Sequence, residues 1–344
     1  MMKKLFLKLL LIASPVLAIL GVYAWKDPFK VLYHYDTYFQ PRDSSLIISY
    51  NEDRMSTQTL INNYPKYHYN SFILGGSRSG LYPIDEWLKH IGPDCQPYHF
   101  DGNEEDLYGL YHKLMFLDKI GADLKHVLIV TDAYSLKDTT NSESYLTIKD
   151  PAVSGQNKLK YQLVFVKAFF DRKFLLSYMD YQRTGLVKPY MSKWGTIRRS
   201  YIAYDNRYNE SRHISLDDSI RLAKDRYYEK LRFRFFRRPS TQHYTEQVLS
   251  ARHIQLLKEM RAILQKHHTD CKIVINPLYD QVKINAADLA VLKDIFGAGN
   301  VFDFSGINDI TEDKYNYYEN SHYLPRIAVR IMDSVYSLNG SMAE

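Results

Sequence analysis

Ser71-Phe72-Ile73-Leu74-Gly75-Gly76-Ser77-Arg78-Ser79-Gly80 decides how the rest of this chain is read. Its first four residues read as a short buried strand, and the paired glycines as a sharp turn that presents Ser77. Downstream, Ile84, Trp87, Leu88 and Ile91 fall on one face of a helix. Pro97-Tyr98-His99-Phe100 is a second short strand, closed by Asp101-Gly102-Asn103. Leu107, Leu110, Tyr111 and Leu114 recur at helical spacing, and His126-Val127-Leu128-Ile129-Val130 is a third strand ending at Thr131-Asp132. The rhythm resumes with an amphipathic helix over 248–268, a strand at Lys272-Ile273-Val274-Ile275-Asn276 stopped by Pro277, and a helix over 286–296 closed by Gly297. A strand at Asn300-Val301-Phe302-Asp303-Phe304 and a helix over 327–336 complete it. Strands that alternate with helices predict an α/β fold with a parallel sheet covered on both faces. In such sheets the site lies at the carboxyl ends of the strands, where Ser77, Asp101-Gly102-Asn103 and Asp132 stand.

Outward from this frame, residues 1–25 read MMKKLFLKLLLIASPVLAILGVYAW. Lys3, Lys4 and Lys8 come first, then an apolar run from Leu9 to Trp25; with Leu5–Leu7 added, the stretch is long enough for a transmembrane helix of about 20 residues with its positive end in the cytoplasm. The rival reading is a cleaved signal peptide; it lacks a clean small-residue cleavage pattern, so the uncleaved signal anchor is the expectation. Either way the remainder is exported. Residues 26–70 read as a juxtamembrane segment, with DPF, QPRD and NYPKY as turn signals. Residues 134–245 interrupt the α/β pattern and are too long for an ordinary loop. They include Tyr227-Tyr228-Glu229-Lys230 and Arg232-Phe233-Arg234-Phe235-Phe236-Arg237-Arg238, and read as a largely helical cap over the strand ends. The catalytic-type domain is then 71–133 together with 246–344.

The 344 residues carry a formal net charge of +6, most of it near the N-terminus and within 221–238. No nucleic-acid-binding module accompanies that charge, so no nucleic acid is expected as partner. The chain has 30 tyrosines, whose rings suit sugar-binding grooves and ordinary surfaces alike. Its two cysteines, Cys95 and Cys271, form no metal-ligand spacing, so no zinc site is expected.

A serine hydroxyl becomes a nucleophile only when a base takes its proton and a third group orients that base. Ser77 follows a strand and two glycines, which let backbone N–H groups approach a substrate oxygen. Glu319-Asn320-Ser321-His322 precedes the last helix, and a carboxylate three residues before a histidine can hold its imidazole from behind. Taken singly, the first is an ordinary Gly-Ser turn and the second one loop histidine among 12. Together they bracket the α/β pattern from both ends.

That order and placement resemble the SGNH (GDSL-like) hydrolase superfamily. In it, the nucleophilic serine follows the first strand and an acid-x-x-histidine pair precedes the terminal helix. The anchor and the block Gly75-Gly76-Ser77-Arg78-Ser79 further resemble the exported branch of DltD-like and AlgJ/AlgX-like acyltransferase proteins. The resemblance covers about 71–132 and 248–336. It implies a flavodoxin-like three-layer sheet, with Ser77 as nucleophile, His322 as base and Glu319 as orienting acid. It implies an oxyanion hole near Ser77 and Gly102, with Asn103 as a side-chain donor. Arg78, also placed in that neighbourhood, either binds an acidic substrate group or pairs with a carboxylate. Two features depart from the family: Glu319 replaces the usual aspartate, and Thr131-Asp132 stands where an oxyanion-binding asparagine is usual. Asp132 is read as structural. In a 2-1-3-4-5 strand order, Cys95 and Cys271 precede strands separated by two others at roughly 4.8 Å each, so two free thiols are expected.

The implied activity is ester hydrolysis or O-acyl transfer through an acyl-serine, on a cell-envelope polysaccharide, without metal or organic cofactor. The implied partner is a membrane-bound O-acyltransferase that supplies the acyl group. The implied location is the cytoplasmic (inner) membrane, with the domain facing the periplasm or exterior. The alternative is a polysaccharide-binding or assembly subunit that kept the fold without efficient catalysis. A further reading makes the basic, aromatic insertion a docking surface for anionic lipid or polymer.

Overall fold

The computed structural model describes residues 2–39, 46–48, 50–199 and 202–337. Five strands form a central parallel sheet: β1 (Ser71–Gly75), β2 (Pro97–Asp101), β3 (His126–Thr131), β4 (Asp270–Ile275) and β5 (Val301–Asp303). Their spatial order is β5-β4-β3-β1-β2, so the chain reverses direction of travel between β2 and β3. This is a doubly wound arrangement whose switch point lies beside β1, the strand that delivers Ser77.

Alternation along the strands explains the layers. In β1, Phe72 and Leu74 enter one core and Ile73 the other; in β3, Val127 and Ile129 oppose Leu128 and Val130. The first core is covered by α2 (Glu52–Tyr67), α4 (Leu107–Lys119), α7 (Ala251–Lys266) and α8 (Ala286–Phe296), through Leu60, Leu110, Leu114, Leu257, Met260 and Leu292. The second is covered by α3 (Ile84–Ile91) and α9 (Pro325–Ser337), through Trp87, Ile91, Ile327, Ile331 and Val335. The mixed α/β class and the parallel sheet follow the sequence reading. Cys95 and Cys271 are both free and buried.

Segment 26–70 contributes to the fold proper. Asn51 caps α2 by accepting from the Arg54 N–H, Glu52 and Asp53 fill the acidic first turn, and the helix lies along β2. At the N-terminus, Met2–Lys26 forms a continuous helix, α1, which contains Pro15 and has Lys3, Lys4 and Lys8 in its first turns. Among the described residues no helix is long and apolar enough to cross a membrane, so the expected transmembrane helix is not found there. The end of α1 packs against the rest of the protein. Tyr23 is buried against Phe169, with ring centroids 5.1 Å apart.

The region 134–245 is built around α5 (Lys158–Phe169) and α6 (Arg172–Thr184), which share an aromatic core with Tyr23 and Phe29. Later in it, Ala203–Asp205 and Glu210–Arg212 form an antiparallel ribbon at the edge of β2. The His99 N–H donates to Tyr208 O at 3.0 Å, which covers that edge and carries Asn209 and His213 toward the strand ends.

Candidate active site

Gly75 shapes the turn after β1. Its φ is +154°, and a Cβ there would sit 2.4 Å from Val130 O and 2.9 Å from Ser79 Cβ, so only glycine fits. Ser79 closes the turn by donating from its amide and its hydroxyl to Gly76 O. Ser77 is left exposed at the tip.

His322 arrives from the other end of the sequence on a tight hairpin. Tyr317–Glu319 pairs antiparallel with His322–Tyr323, and Glu319 stands opposite His322. That register sets the acid and the imidazole side by side, which is how a three-residue spacing yields a hydrogen-bonded pair. The hairpin is pinned to the sheet by Tyr323, whose hydroxyl donates to Asn276 Oδ1 at 2.8 Å, and by Tyr317, which donates to Pro277 O at 3.0 Å.

Ser77 Oγ lies 2.8 Å from His322 Nε2, and His322 Nδ1 is hydrogen-bonded to Glu319 Oε1. Glu319 Oε2 also accepts from the Ser321 N–H at 2.9 Å, which fixes the carboxylate in its own loop. Partial burial pushes the Glu319 carboxyl upward, but the hydrogen bond and charge of His322 and the bonds from Ser321 outweigh it, leaving it below the usual range. An ionised acid behind Nδ1 keeps the imidazole proton there, so Nε2 is free to accept from the serine hydroxyl.

The remaining residues singled out in the sequence are otherwise engaged. Arg78 donates from Nε to Ser321 O and from Nη1 to Asp132 Oδ2, both at 2.9 Å. It is a clamp between the serine turn, the end of β3 and the histidine hairpin. Asp132 is buried, and its other oxygen accepts from the Tyr134 and Ser135 N–H groups at 3.0 Å, so it caps the loop after β3. The Gly102 N–H donates to Gly75 O at 3.1 Å and is not available to a substrate. Asn103 faces Glu52: with its amide nitrogen turned toward the carboxylate, the distances are 2.8 Å to Oε2 and 3.1 Å to Oε1. The Ser77 N–H, by contrast, has no protein acceptor among the described residues.

Gly102 is required for a different reason. A Cβ there would meet Glu105 Oε2 at 2.7 Å and Lys113 Nζ at 3.2 Å. Those groups belong to a solvent-free ion cluster. Lys113 Nζ pairs with Asp53 at 3.1 Å and with Glu105, and Lys149 Nζ lies 2.7 Å from the other Glu105 oxygen. Lys113 also donates to Asp101 O at 2.7 Å, and Asp53 Oδ1 accepts from the Asp150 N–H at 2.8 Å. Burial works against the Lys113 charge, but Asp53 and Glu105 override it and hold its pKa above normal. The cluster therefore joins α2, the end of β2, α4 and the start of the insertion directly beneath the Gly102-Asn103 turn.

Ser77 opens onto a cavity of about 480 Å³. Phe39, Tyr50, Tyr204 and Met55 supply apolar wall, and Glu52, Asp101, Asn209, Arg198 and His213 supply polar groups. Burial, then the neighbouring Glu52, push Asp101 up to about 8, while Asn209 Nδ2 donates to its Oδ1 at 2.9 Å. Burial, then Arg198 and His322, lower His213. Of these cavity residues, only Asp101 is named from the sequence. Asp101 stood in the turn already read, and Asn51 before two acidic residues signals the helix that bears Glu52. Arg198, Asn209 and His213 lie in the insertion, where no periodic signal exists. Among the described residues no cluster of histidine, cysteine and carboxylate groups is arranged to hold a metal ion.

No family model and no curated protein matches this chain.

Proposed function

We propose that the chain is a serine esterase or O-acyltransferase of the SGNH-hydrolase kind, exported and held at the cytoplasmic membrane by α1. The observation that carries the reading is the Ser77–His322–Glu319 relay, assembled from turns 245 residues apart, at the mouth of a cavity. Ser77 Oγ gives its proton to His322 Nε2 and bonds to the acyl carbon of an ester. The ester C–O bond breaks, and the same proton passes to the departing alkoxide. The acyl group then leaves Ser77 for a hydroxyl of a cell-envelope polysaccharide, or for water. That hydroxyl loses its proton to His322, which returns it to Ser77. The Ser77 N–H supplies an oxyanion contact. The chemistry asks for no metal or organic cofactor. A membrane-bound O-acyltransferase is the proposed acyl supplier, in keeping with the membrane-held position. The exposed Leu11, Ile12, Val16 and Leu17 of α1 support that position.

A second reading has its own support. Gly102 and Asn103 are hydrogen-bonded elsewhere, and Asp132 stands where a neutral donor would assist, so oxyanion donors are few. A polysaccharide-binding or assembly subunit would show the same deficit. A serine-directed fluorophosphonate, applied to the full chain and mapped by mass spectrometry, separates the two. Labelling at Ser77 that disappears in Ser77→Ala and in His322→Ala supports the enzyme. A folded parent that stays unlabelled favours the binding subunit.

A further inference from the structure

The helix α5, KLKYQLVFVKAF, is apolar on opposite faces. Tyr161, Phe165 and Phe169 recur at four-residue spacing and are buried. Leu159 and Leu163, at the same spacing on the other side, are 70% and 57% exposed. A helix apolar on two faces within a folded domain implies a second apolar surrounding. The outer stripe is flanked by Lys158, Lys160 and Lys167. The following helix, α6, repeats the pattern, burying Phe174 and Tyr178 and exposing Leu176 and Met179. Leu186 and Trp194 are exposed just beyond it.

Charge distinguishes this surface from a protein interface. Residues 158–193 hold eight lysines and arginines, at positions 158, 160, 167, 172, 173, 183, 188 and 193, against two aspartates, Asp171 and Asp180. Interfaces between proteins are depleted in lysine, whereas leucine and tryptophan ringed by lysine match an anionic bilayer surface. The position agrees. The same two helices grip the end of α1 through Tyr23, and α1 itself exposes Leu11, Ile12, Val16, Leu17 and Trp25.

We infer that α5 and α6 form a platform that seats the protein on an anionic phospholipid surface, with Leu159, Leu163, Leu176 and Met179 entering the headgroup region. The inference rests on the membrane-held part of the proposed function and not on the serine chemistry, so labelling at Ser77 and the depth of these helices fail independently.

The test uses the full chain in vesicles of phosphatidylcholine alone or with one-quarter phosphatidylglycerol. An environment-sensitive fluorophore is attached at Leu163→Cys, at Leu176→Cys and, as a control, at Lys258→Cys on α7; Cys95 and Cys271 are buried and do not compete. Shallow nitroxide-labelled lipid is expected to quench the dyes at 163 and 176, more strongly with phosphatidylglycerol, and to leave 258 bright. Replacing Lys158, Lys160 and Lys167 with glutamine is expected to weaken the anionic-lipid dependence roughly fivefold per lysine. Bright dyes at 163 and 176 in vesicle-bound protein overturn the inference. So does a blue shift in the absence of lipid that tracks with dimer formation, because the stripe is then a contact between copies.

Discussion

Removing the Arg78 side chain tests whether the histidine hairpin is held in place by the clamp described above. Arg78 is about a quarter exposed and Asp132 only 3%, so Arg78→Ala leaves a buried carboxylate without its cation. Breaking such a pair costs about 3 kcal/mol, the low end of the range because Arg78 is partly solvated, or roughly 4 °C in Tm for a chain of this size. It also frees Ser321 O, one residue from His322. A displacement of about 1 Å at that hairpin slows fluorophosphonate labelling of Ser77 about 100-fold. The two effects separate in the double variant Arg78→Ala/Asp132→Asn. Asparagine still accepts from the Tyr134 and Ser135 N–H groups without stranding a charge, so stability returns to within about 1 kcal/mol of the parent. Labelling stays slow, because Ser321 O is still unanchored. Denaturant unfolding and a labelling time course measure both quantities on the same samples. If Arg78→Ala unfolds like the parent, or if the double variant regains the parental labelling rate, the clamp does not position His322.

Glu319→Gln keeps the shape of the acid but removes the charge that holds the proton on Nδ1; labelling at Ser77 is expected to fall by about 10³–10⁴ with little change in Tm, and equal labelling rates would remove Glu319 from the relay. Lys113→Met leaves the buried Asp53 without a cation and Glu105 with Lys149 alone, and is expected to lose about 3–5 kcal/mol, read as a lowered denaturant midpoint. Asp101 holds its proton to about 8 in the folded chain against 3.8 for an ordinary aspartate. The native state therefore binds more protons than the unfolded one between those values, and stability falls as pH rises through that window. The limiting effect is about 6 kcal/mol. Asp101→Asn should flatten this decline, so that its stability relative to the parent is greater at pH 8 than at pH 5; a constant difference between the two pH values would count against the buried-acid reading.

The strands and helices of the sheet were legible because buried parallel strands leave continuous apolar runs and their covering helices leave a 3.6-residue period. Glu319 and His322 were legible because their pairing is local, set by a hairpin of four residues. What escaped was non-local. Nothing in Lys113 or Lys149 distinguishes them from solvated lysines, since each is a single charge on a helix or loop. Only the fold brings them to Glu105 and Asp53. The resemblance implies an oxyanion role for Gly102, yet its amide completes the sheet ladder and its missing side chain makes room for Glu105. Arg78 left two readings open in the sequence, and the Asp132 and Ser321 contacts decide for pairing. The signals in the N-terminal segment are hydropathy, flanking lysines and the want of a cleavage pattern, none of which registers that Tyr23 serves a core formed with residues 161–178.

These contacts bear on why the chain keeps charges in its interior. Replacing a buried ion cluster with well-packed apolar residues is often neutral or stabilising, so stability alone does not account for Asp53, Glu105, Lys113 and Lys149. Apolar side chains, however, are indifferent to small shifts along the strand. Lys113 is directional: at 2.7 Å from Asp101 O and 3.1 Å from Asp53, it fixes the end of β2 against α2. On the opposite side of the serine turn, Arg78 does the same for the end of β3 and the hairpin. Ser77 thus sits between two ionic brackets, one beneath the Gly102-Asn103 turn and one behind His322. A 2.8 Å contact between groups 245 residues apart needs that kind of lateral constraint, because glycine turns and two-stranded hairpins do not hold such a distance unaided.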